Sequence, residues 1–254
     1  LTSANQANAM DRFEIQVYEA EVNKPWQPGL ELHTNYTFKG LKEPEYEGQV
    51  APHHAARFTL EPAMGVTDFF EIGMYLQGMS APGEGAKWGG FKLRGKFVVP
   101  ERLKLPIFLG INVELGKVPL RVEEDGWANE FRPIIGYKNK WILFDANPII
   151  GYALSGADRF KPDFAPAGKV AVNTQLGVQL GVEYYASLGL FGAGFSPWRK
   201  QEHIVFGVVD LAHPANEPEE EDGGEWELNV AVGRGLTDGT GAQWIAKSIV
   251  GRSF

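Results

Sequence analysis

Cysteine is absent from the 254 residues of the chain, and this absence excludes disulfide frameworks, thiolate nucleophiles and metal sites built on cysteine. No stretch approaches the roughly 18 uninterrupted apolar residues of a membrane-spanning helix, although hydrophobic residues make up 44% of the chain. A helical membrane protein is therefore excluded. Basic charge is also scarce, since the formal net charge is −8, and phosphate binding requires concentrated Lys and Arg. We therefore expect no nucleic-acid partner.

Helix-favouring runs of Ala, Leu, Glu and Lys are short, whereas the chain holds 31 Gly, 16 Pro and 12% aromatic residues. This composition favours an all-β fold. The first nine residues lack the charged and apolar regions of a secretory signal. We therefore interpret this stretch as a mature terminus or a non-native remnant; if the protein is exported, its signal has already been removed.

Apolar and polar residues alternate through most of the chain, as they do in β-strands. The cleanest alternation covers residues 107–116, where Ile, Leu, Ile, Val and Leu oppose Phe, Gly, Asn, Glu and Gly. From Gly29 onwards we count about twelve such segments of roughly ten residues, near the length that crosses a bilayer at a tilt. The sequence thus predicts a transmembrane antiparallel β-barrel over residues 29–254. Residues 1–28 are left over as an additional strand, a periplasmic piece or a lumen-occupying segment.

The connections between these segments alternate between long and short, as in barrels with long external loops and short periplasmic turns. We predict short turns at 66–68, 101–105, 139 and 175–177, and longer loops at 39–53, 80–90, 119–126 and 155–163. This parity places Phe254 on the periplasmic side. A chain end on a fully paired strand suits a closed barrel, because an unpaired backbone group in lipid has no water partner.

Alternation alone does not decide which face of each strand meets the lumen, because soluble and membrane barrels place their apolar faces on opposite sides. The apolar faces here are mostly Ile, Leu, Val and Phe. Aromatic residues near the segment ends resemble the girdles of outer-membrane barrels, namely Tyr36, Trp127, Tyr137, Trp226 and Trp244. We therefore assign the opposing face to the lumen, with a soluble β-protein as the alternative. The predicted pore-lining residues are Glu31, Arg57, Glu61, Glu71, Lys92, Arg94, Lys96, Glu114, Glu130, Arg132, Asp145, Lys169, Glu183 and Glu227.

Counting back from the short turns predicts how some of these charges pair. Lys92 should lie near Glu114 on one neighbouring strand, and Lys96 should lie diagonally near Glu71 on the other. Buried charges must be paired or hydrated. We therefore predict a constricted lumen rather than a wide, water-filled pore.

The last strand has two possible settings. If Val250 and Phe254 face lipid, Lys247 points inward, whereas a slip by one residue turns Arg252 inward instead. A one-residue slip exchanges the two faces of a strand, so this choice decides which charge joins the lumen.

Four segments of the chain resemble known proteins. Residues 226–238 and 243–254 together resemble the closing hairpin of Gram-negative outer-membrane β-barrels. Residues 65–73 and 181–186 are similar to segments of the outer-membrane transporter family named after a phenol-degradation pathway protein, and this likeness covers most of residues 54–254. Arg252 departs from the terminal signal, which usually has an aromatic or apolar residue two before the final Phe.

The resemblance implies a channel or transporter for an unknown small solute. It also implies outer-membrane lipid and lipopolysaccharide as surroundings, and recognition by the barrel assembly machinery through the strand that ends in Phe254. The alternatives are a closed structural or adhesin-like barrel and an outer-membrane lipid hydrolase. The hydrolase hypothesis depends on Ser187 and His203, which lie on adjacent predicted strands but have no flanking triad motif. We therefore predict no catalytic residue.

Neither a metal site nor a cofactor is predicted. His53 and His54 have no carboxylate nearby at a ligand-like spacing. The acidic run 217–222 lacks the alternating oxygen ligands of a calcium loop, and we expect a solvated loop that faces lipopolysaccharide. Gly233-Arg-Gly235 is not a phosphate loop, because no helix follows it.

Overall fold

The computed structural model describes residues 11–124, 126–156, 159–191, 194–211 and 226–254. Within these residues the chain is mostly β-strand, with two short 3-10 helices, Glu101–Leu103 and Trp198–Lys200. No helix of the described chain is long and apolar enough to cross a membrane.

The described residues form thirteen strands, of which all but one are 10 to 14 residues long. They are β1 (Pro28–Gly40), β2 (Ala56–Thr67), β3 (Phe70–Ala81), β4 (Gly85–Val98), β5 (Phe108–Lys117), β6 (Trp127–Lys138), β7 (Ile142–Ala153), β8 (Asp163–Asn173), β9 (Val178–Ser187), β10 (Gly189–Leu190), β11 (Glu202–Leu211), β12 (Trp226–Gly235) and β13 (Ala242–Ser253).

The twelve long strands close into an antiparallel barrel. Each pairs with its two neighbours, β1 pairs with β13, and the ring closes because β8 pairs with β9. The two-residue strand β10 also pairs with β8 and is the extra strand. A closed ring leaves no free sheet edge, as a barrel in lipid requires. The prediction of an all-β barrel of about twelve strands is confirmed.

The barrel has a turn end and a loop end. The turn end holds Phe254, whose backbone N–H donates to the carbonyl oxygen of Pro28 at 2.9 Å, together with the turns that follow β2, β4, β6 and β8. The loop end holds residues 41–55, the longest fully described connection, together with the connections that follow β3, β5, β7 and β12. The predicted parity, which puts the chain end beside the short turns, is confirmed.

The glycine-rich stretch 80–90 is not the predicted long loop. Strands β3 and β4 stay paired up to Ala81, which lies opposite Gly85, so only residues 82–84 connect them. Gly83 and Gly85 have φ angles of +79° and +66°, which glycine adopts without steric cost. Here glycine builds a tight hairpin rather than a loop, and this explains the wrong prediction.

The acidic run 217–222 lies outside the described residues, but the strands beside it do not. Strand β11 ends at Leu211 and β12 begins at Trp226, which lies opposite Arg252 at the turn end. The connection therefore leaves and re-enters the barrel wall at the end that carries Phe254. This contradicts the predicted position of the run in an external loop that faces lipopolysaccharide.

The outward face of the wall is a band of large apolar side chains. Leu32, Ile72, Leu93, Val182 and Val232 each expose 43% to 55% of their surface, and contiguous exposure of this kind is rare in soluble monomers. All seven tryptophans of the chain are exposed and lie at strand ends or in connections, namely Trp26, Trp88, Trp127, Trp141, Trp198, Trp226 and Trp244. An apolar band between two aromatic girdles is the exterior of an outer-membrane barrel.

The last strand takes the first of its two predicted settings. Lys247 is buried, whereas Val250 and Phe254 are exposed. Arg252 is exposed, and its guanidinium lies 5.1 Å from the ring centre of Trp226 and 5.4 Å from that of Phe254. Stacking on two aromatic rings gives Arg252 a favourable place outside the lumen.

Candidate functional site in the barrel lumen

Residues 11–24, here called the inner segment, lie inside the barrel. They form no strand, although the alternation at residues 13–22 allows one. Inward-facing side chains from around the ring donate hydrogen bonds to their carbonyl oxygens: Asn35 of β1 to Arg12 at 2.7 Å, Arg132 of β6 to Gln16 at 3.0 Å, Asn147 of β7 to Tyr18 at 3.1 Å and Lys247 of β13 to Ile15 at 2.7 Å. The wall thus replaces the strand partners that an extended segment otherwise needs.

The inner segment runs from the loop end to the turn end. Near the loop end, the Arg12 guanidinium lies 3.5 Å from the Glu45 carboxylate and 3.0 Å from the Glu202 carboxylate. Near the turn end, the backbone N–H of Asn23 donates to the Glu71 carboxylate at 2.8 Å. The chain then crosses β2 closely, because a Cβ at Gly65 would overlap the carbonyl oxygens of Asn23 and Lys24.

The lumen has an apolar side and a polar side, and the inner segment matches both. Ile15 and Val17 pack in a buried cluster completed by Ile149, Ala165, Ala167, Tyr185, Ile204, Phe206, Val208, Ala231, Ala242 and Ile245. On the polar side, the Gln77 side chain donates to the Glu14 carboxylate at 2.7 Å, and the hydroxyls of Tyr18 and Tyr75 lie 2.5 Å apart. Alternation along the segment therefore places apolar and polar side chains against matching walls.

The first charged cluster joins β1, β2, β3 and β4. Arg94 is almost fully buried and lies 2.5 Å from Glu61 and 2.8 Å from Glu71. Nε2 of His33 lies 3.1 Å from Glu61 and 3.2 Å from Glu31. Buried guanidinium and carboxylate groups are tolerated only with such partners, and these form a network.

Lys96 lies directly opposite Glu71 in the strand register, rather than diagonally as predicted. Glu227 is exposed at the turn end. It borders Glu31 across Gly251, since a Cβ at Gly251 would meet both side chains. These residues extend the charged surface of the lumen to its turn-end mouth.

The second cluster joins the inner segment to β4, β5 and β6. Lys92 lies 3.1 Å from Glu114, as predicted, and also contacts Asp11 of the inner segment. Arg132 contacts Glu130 at 2.8 Å. The wall cations thus bind both wall carboxylates and the inner segment.

The third cluster lies on β8, β9, β11 and β13. Lys169 lies 3.0 Å from Asp210, and Lys247 lies 2.5 Å from Glu183. Asp145 of β7 lies opposite Lys169 in the register. This cluster borders the apolar side of the lumen, where desolvation makes each pairing more important.

Nine of the fourteen residues assigned to the lumen from the sequence are buried, namely Arg57, Glu61, Glu71, Arg94, Glu114, Arg132, Asp145, Lys169 and Glu183. Glu31, Lys92, Lys96 and Glu130 are partly exposed. Arg57 differs from the other cations because it joins none of the three clusters. Its Nη1 donates to Thr37 Oγ1 at 3.5 Å, and the guanidinium lies 5.9 Å from the ring centre of Phe13.

The sequence assignment missed Asp11, His33 and Asp210, each of which completes a cluster. Asp210 shares its face of β11 with the buried residues Phe206 and Val208, so a search for charged faces passes over it. His33 alternates with Leu32 beside Glu31, and that pattern could have identified it. No pattern marks Asp11, because it lies outside the strands.

Two cavities are found along the lumen. A cavity of about 440 Å³ at the loop end, here called the vestibule, is lined by residues of the inner segment, of β2, β3 and β11, and of the loops, including Phe13, Tyr46, Arg57, Met79 and Glu202. A smaller cavity of about 70 Å³ lies deeper, between the inner segment and the wall, and is lined by Glu14, Gln16, Lys92, Glu114 and Tyr185 among others. The lumen therefore narrows from the vestibule inward.

Glu19 is an acidic residue of the inner segment that lies close to Lys169 of the wall. Burial raises the pKa of Glu19 to about 7, and the nearby Glu21 adds to the rise. Lys169 lies 4.0 Å away and acts in the opposite direction. Protonation of Glu19 near neutral pH therefore stabilises this part of the inner segment in its docked position, that is, in its place inside the barrel.

Among the described residues, Glu31, His33 and Glu61 form one group whose ligand atoms all lie within 4.8 Å of one another, as a metal site requires. Glu61 is shared with Arg94, however, and a cation at this distance opposes metal binding by electrostatic repulsion. The group is accounted for as part of the first ion-pair network.

Ser187 and His203 are not brought together. Ser187 lies on the inward face of β9 with Glu183 and Tyr185. His203 lies on the outward face of β11, where its Nδ1 is 2.5 Å from the hydroxyl of the exposed Tyr184. The wall separates the two side chains, and the pairing that the hydrolase hypothesis requires is absent from this structure.

The fold places the chain among the bacterial outer-membrane β-barrels, and comparison with solved structures agrees. An outer-membrane channel from Pseudomonas putida F1 is similar to this chain, with 11% sequence identity and a TM-score of 0.59. The match covers 95% of this chain and 100% of the channel's chain. The KdgM porin matches 89% of this chain over 99% of its own, with 10% identity and a TM-score of 0.54, and the NanC porin matches 89% over 98%, with 10% identity and a TM-score of 0.53. No family model and no curated protein sequence matches the chain.

Proposed function

We propose that this protein is an outer-membrane channel that passes small solutes through a narrow, charged lumen. The inner segment restricts the lumen, and the fourteen charged residues identified from the sequence contribute to its selectivity. Membership of the transporter family named after a phenol-degradation pathway protein stays a prediction.

The observation that carries the proposal is a cavity at the loop end of a closed, apolar-surfaced barrel whose lumen is lined by buried charged side chains. A closed structural barrel does not need a cavity of about 440 Å³ at one end. Nor does it need buried charges along its length, since buried ion pairs add little stability over well-packed apolar residues. Charged groups in a membrane protein usually mark solute or ion pathways.

The similar structures support the same proposal. Their names describe an outer-membrane channel and porins, and one KdgM structure contains a disordered oligogalacturonate. Because sequence identity is only 10% to 11%, this support concerns the fold and the general class. The solute of the present chain has to follow from its own lumen.

The proposed partners at the membrane follow from the outer surface. The apolar band contacts lipid, and the aromatic girdles lie at the head-group level, with lipopolysaccharide at the loop end. Strand β13 presents Val250 and Phe254 outward at the turn end, where the barrel assembly machinery could bind the strand. Replacing Phe254 with Ser should reduce the amount of folded barrel in cells without changing its unfolding in vitro.

Single-channel recording in planar bilayers tests the channel. Folded protein, verified by heat-modifiable migration on a gel, should give small and discrete conductance steps. If correctly folded protein gives none, the closed structural or adhesin-like barrel is the better description and the proposal fails.

A further inference from the structure

Arg57 is the buried cation of the lumen that lacks a carboxylate partner. It is 4% exposed, and among the described residues no carboxylate oxygen lies within the 4.0 Å that defines the other ion pairs. Among the described residues, Arg57 contacts Thr37 through the long hydrogen bond and lies near the ring of Phe13. A buried guanidinium is normally paired or bound to an anion.

The neighbouring charges do not compensate Arg57. Asp11 is engaged by Lys92, and both Glu45 and Glu202 are engaged by Arg12. Glu123, Glu124 and Asp238 also line the cavity, but among the described residues no carboxylate forms an ion pair with Arg57. The Arg57 guanidinium can therefore bind an anionic group in the vestibule.

Part of the vestibule lining is apolar. Phe13, Val50 and Met79 form a buried cluster, and Val122 packs against it. All four line the vestibule together with Arg57. A ligand that satisfies both surfaces carries one anionic group and a compact apolar body.

We propose that the vestibule binds small organic monocarboxylates with an aromatic or short aliphatic body, with the carboxylate on Arg57 and the body against Phe13 and Met79. A guanidinium presents paired N–H donors that match the two oxygens of a carboxylate. The volume of about 440 Å³ accommodates one such molecule, since small-molecule sites typically span about 300–1,000 Å³. This assignment rests on the proposed channel function and specifies its solute class.

Binding of benzoate and benzamide to the folded, detergent-solubilised full chain tests the assignment by isothermal titration calorimetry. The two probes share a ring and differ in charge. Benzoate should bind saturably, and benzamide should bind at least about tenfold more weakly, because the charge-assisted pairing is lost. Equal binding of both probes, or no saturable benzoate binding, would overturn the assignment.

Three variants locate the site. Arg57→Gln should weaken benzoate binding by about tenfold or more, whereas Arg57→Lys, which keeps the charge, should recover part of it. Arg199→Gln is the matched control, because Arg199 lines the same vestibule but is exposed. The affinity of this variant for benzoate should stay within about twofold of that of the native chain. Unchanged binding in Arg57→Gln would refute the role of Arg57. Binding without any conductance would instead refute the channel and leave the binding site intact.

Discussion

Lys247 joins the last strand to both the wall and the inner segment, and its replacement by Met is a sharp test of the lumen network. Its Nζ donates to the Glu183 carboxylate at 2.5 Å and to the Ile15 carbonyl oxygen at 2.7 Å. Glu183 is 1% exposed. Without Lys247, the Glu183 carboxylate keeps the hydroxyl of Tyr185, at 2.7 Å, as its side-chain hydrogen-bond donor among the described residues.

Breaking a buried ion pair by removing one partner costs about 3–5 kcal/mol, and leaving the Ile15 carbonyl without its donor adds about 1 kcal/mol. We expect Lys247→Met to lower the free energy of unfolding by roughly 5 kcal/mol, taking the pair and the carbonyl together. Adding Glu183→Gln removes the unpaired charge. The double variant should therefore recover most of the loss and remain about 1 kcal/mol below the native chain.

Urea unfolding from lipid vesicles, followed by tryptophan fluorescence under conditions of demonstrated reversibility, measures these differences. Lys39→Met is the control, because Lys39 is exposed on β1. This replacement should change the free energy of unfolding by less than about 0.5 kcal/mol. A loss below about 1 kcal/mol in Lys247→Met, or a double variant no more stable than the single one, would refute the buried pairing.

Three further predictions concern the inner segment and the wall. Gly65→Val should displace residues 23 and 24 and raise the single-channel conductance, whereas Gly207→Val, at a glycine with open space around it, should not. The raised pKa of Glu19, about 7, means that docking is favoured at low pH and weakened as pH rises through 7. The charged groups around Glu19 are Glu21, Asp210, Lys138 and Lys169. The single-channel conductance should increase from pH 5 to pH 8, and Glu19→Gln should remove this pH-dependent increase. The same increase in conductance in Glu19→Gln would contradict the role of Glu19. Phospholipid vesicles should show no fatty-acid release by the native chain, and release that is lost in His203→Ala would revive the hydrolase.

The barrel could be predicted from the sequence because period-two alternation and membrane thickness are local constraints. The segment 107–116, which the structure shows as strand β5 (Phe108–Lys117), illustrates this most clearly, since its apolar residues alternate with the inward-facing ones. The setting of the last strand needed the structure, because Ile245 and Ile249 are apolar yet buried. Ile245 packs in the buried apolar cluster of the lumen, and alternation alone does not separate such a face from one that meets lipid.

The inner segment could not be placed from the sequence for a related reason. Its alternation of Phe13, Ile15 and Val17 with polar residues predicts a strand, but its carbonyl oxygens are bound by wall side chains such as Asn35 and Lys247. Those contacts join residues more than twenty positions apart, and no local pattern encodes them.

The turn-end position of the connection between β11 and β12 was missed because acidity indicates solvation and carries no information about the end of the barrel.

Placing a cysteine in the inner segment tests the central claim most directly, since the chain has no cysteine of its own. Gln16 is partly exposed and lines the narrow cavity, so Gln16→Cys should react with a small cationic thiol reagent during single-channel recording. Leu176→Cys, at an 87% exposed position in the turn after β8, serves as the control. We predict that modification at position 16 blocks the current and that modification at position 176 leaves it unchanged. Complete modification at position 16 with an unaltered current would show that solutes do not pass the inner segment, and the account of the lumen would be wrong.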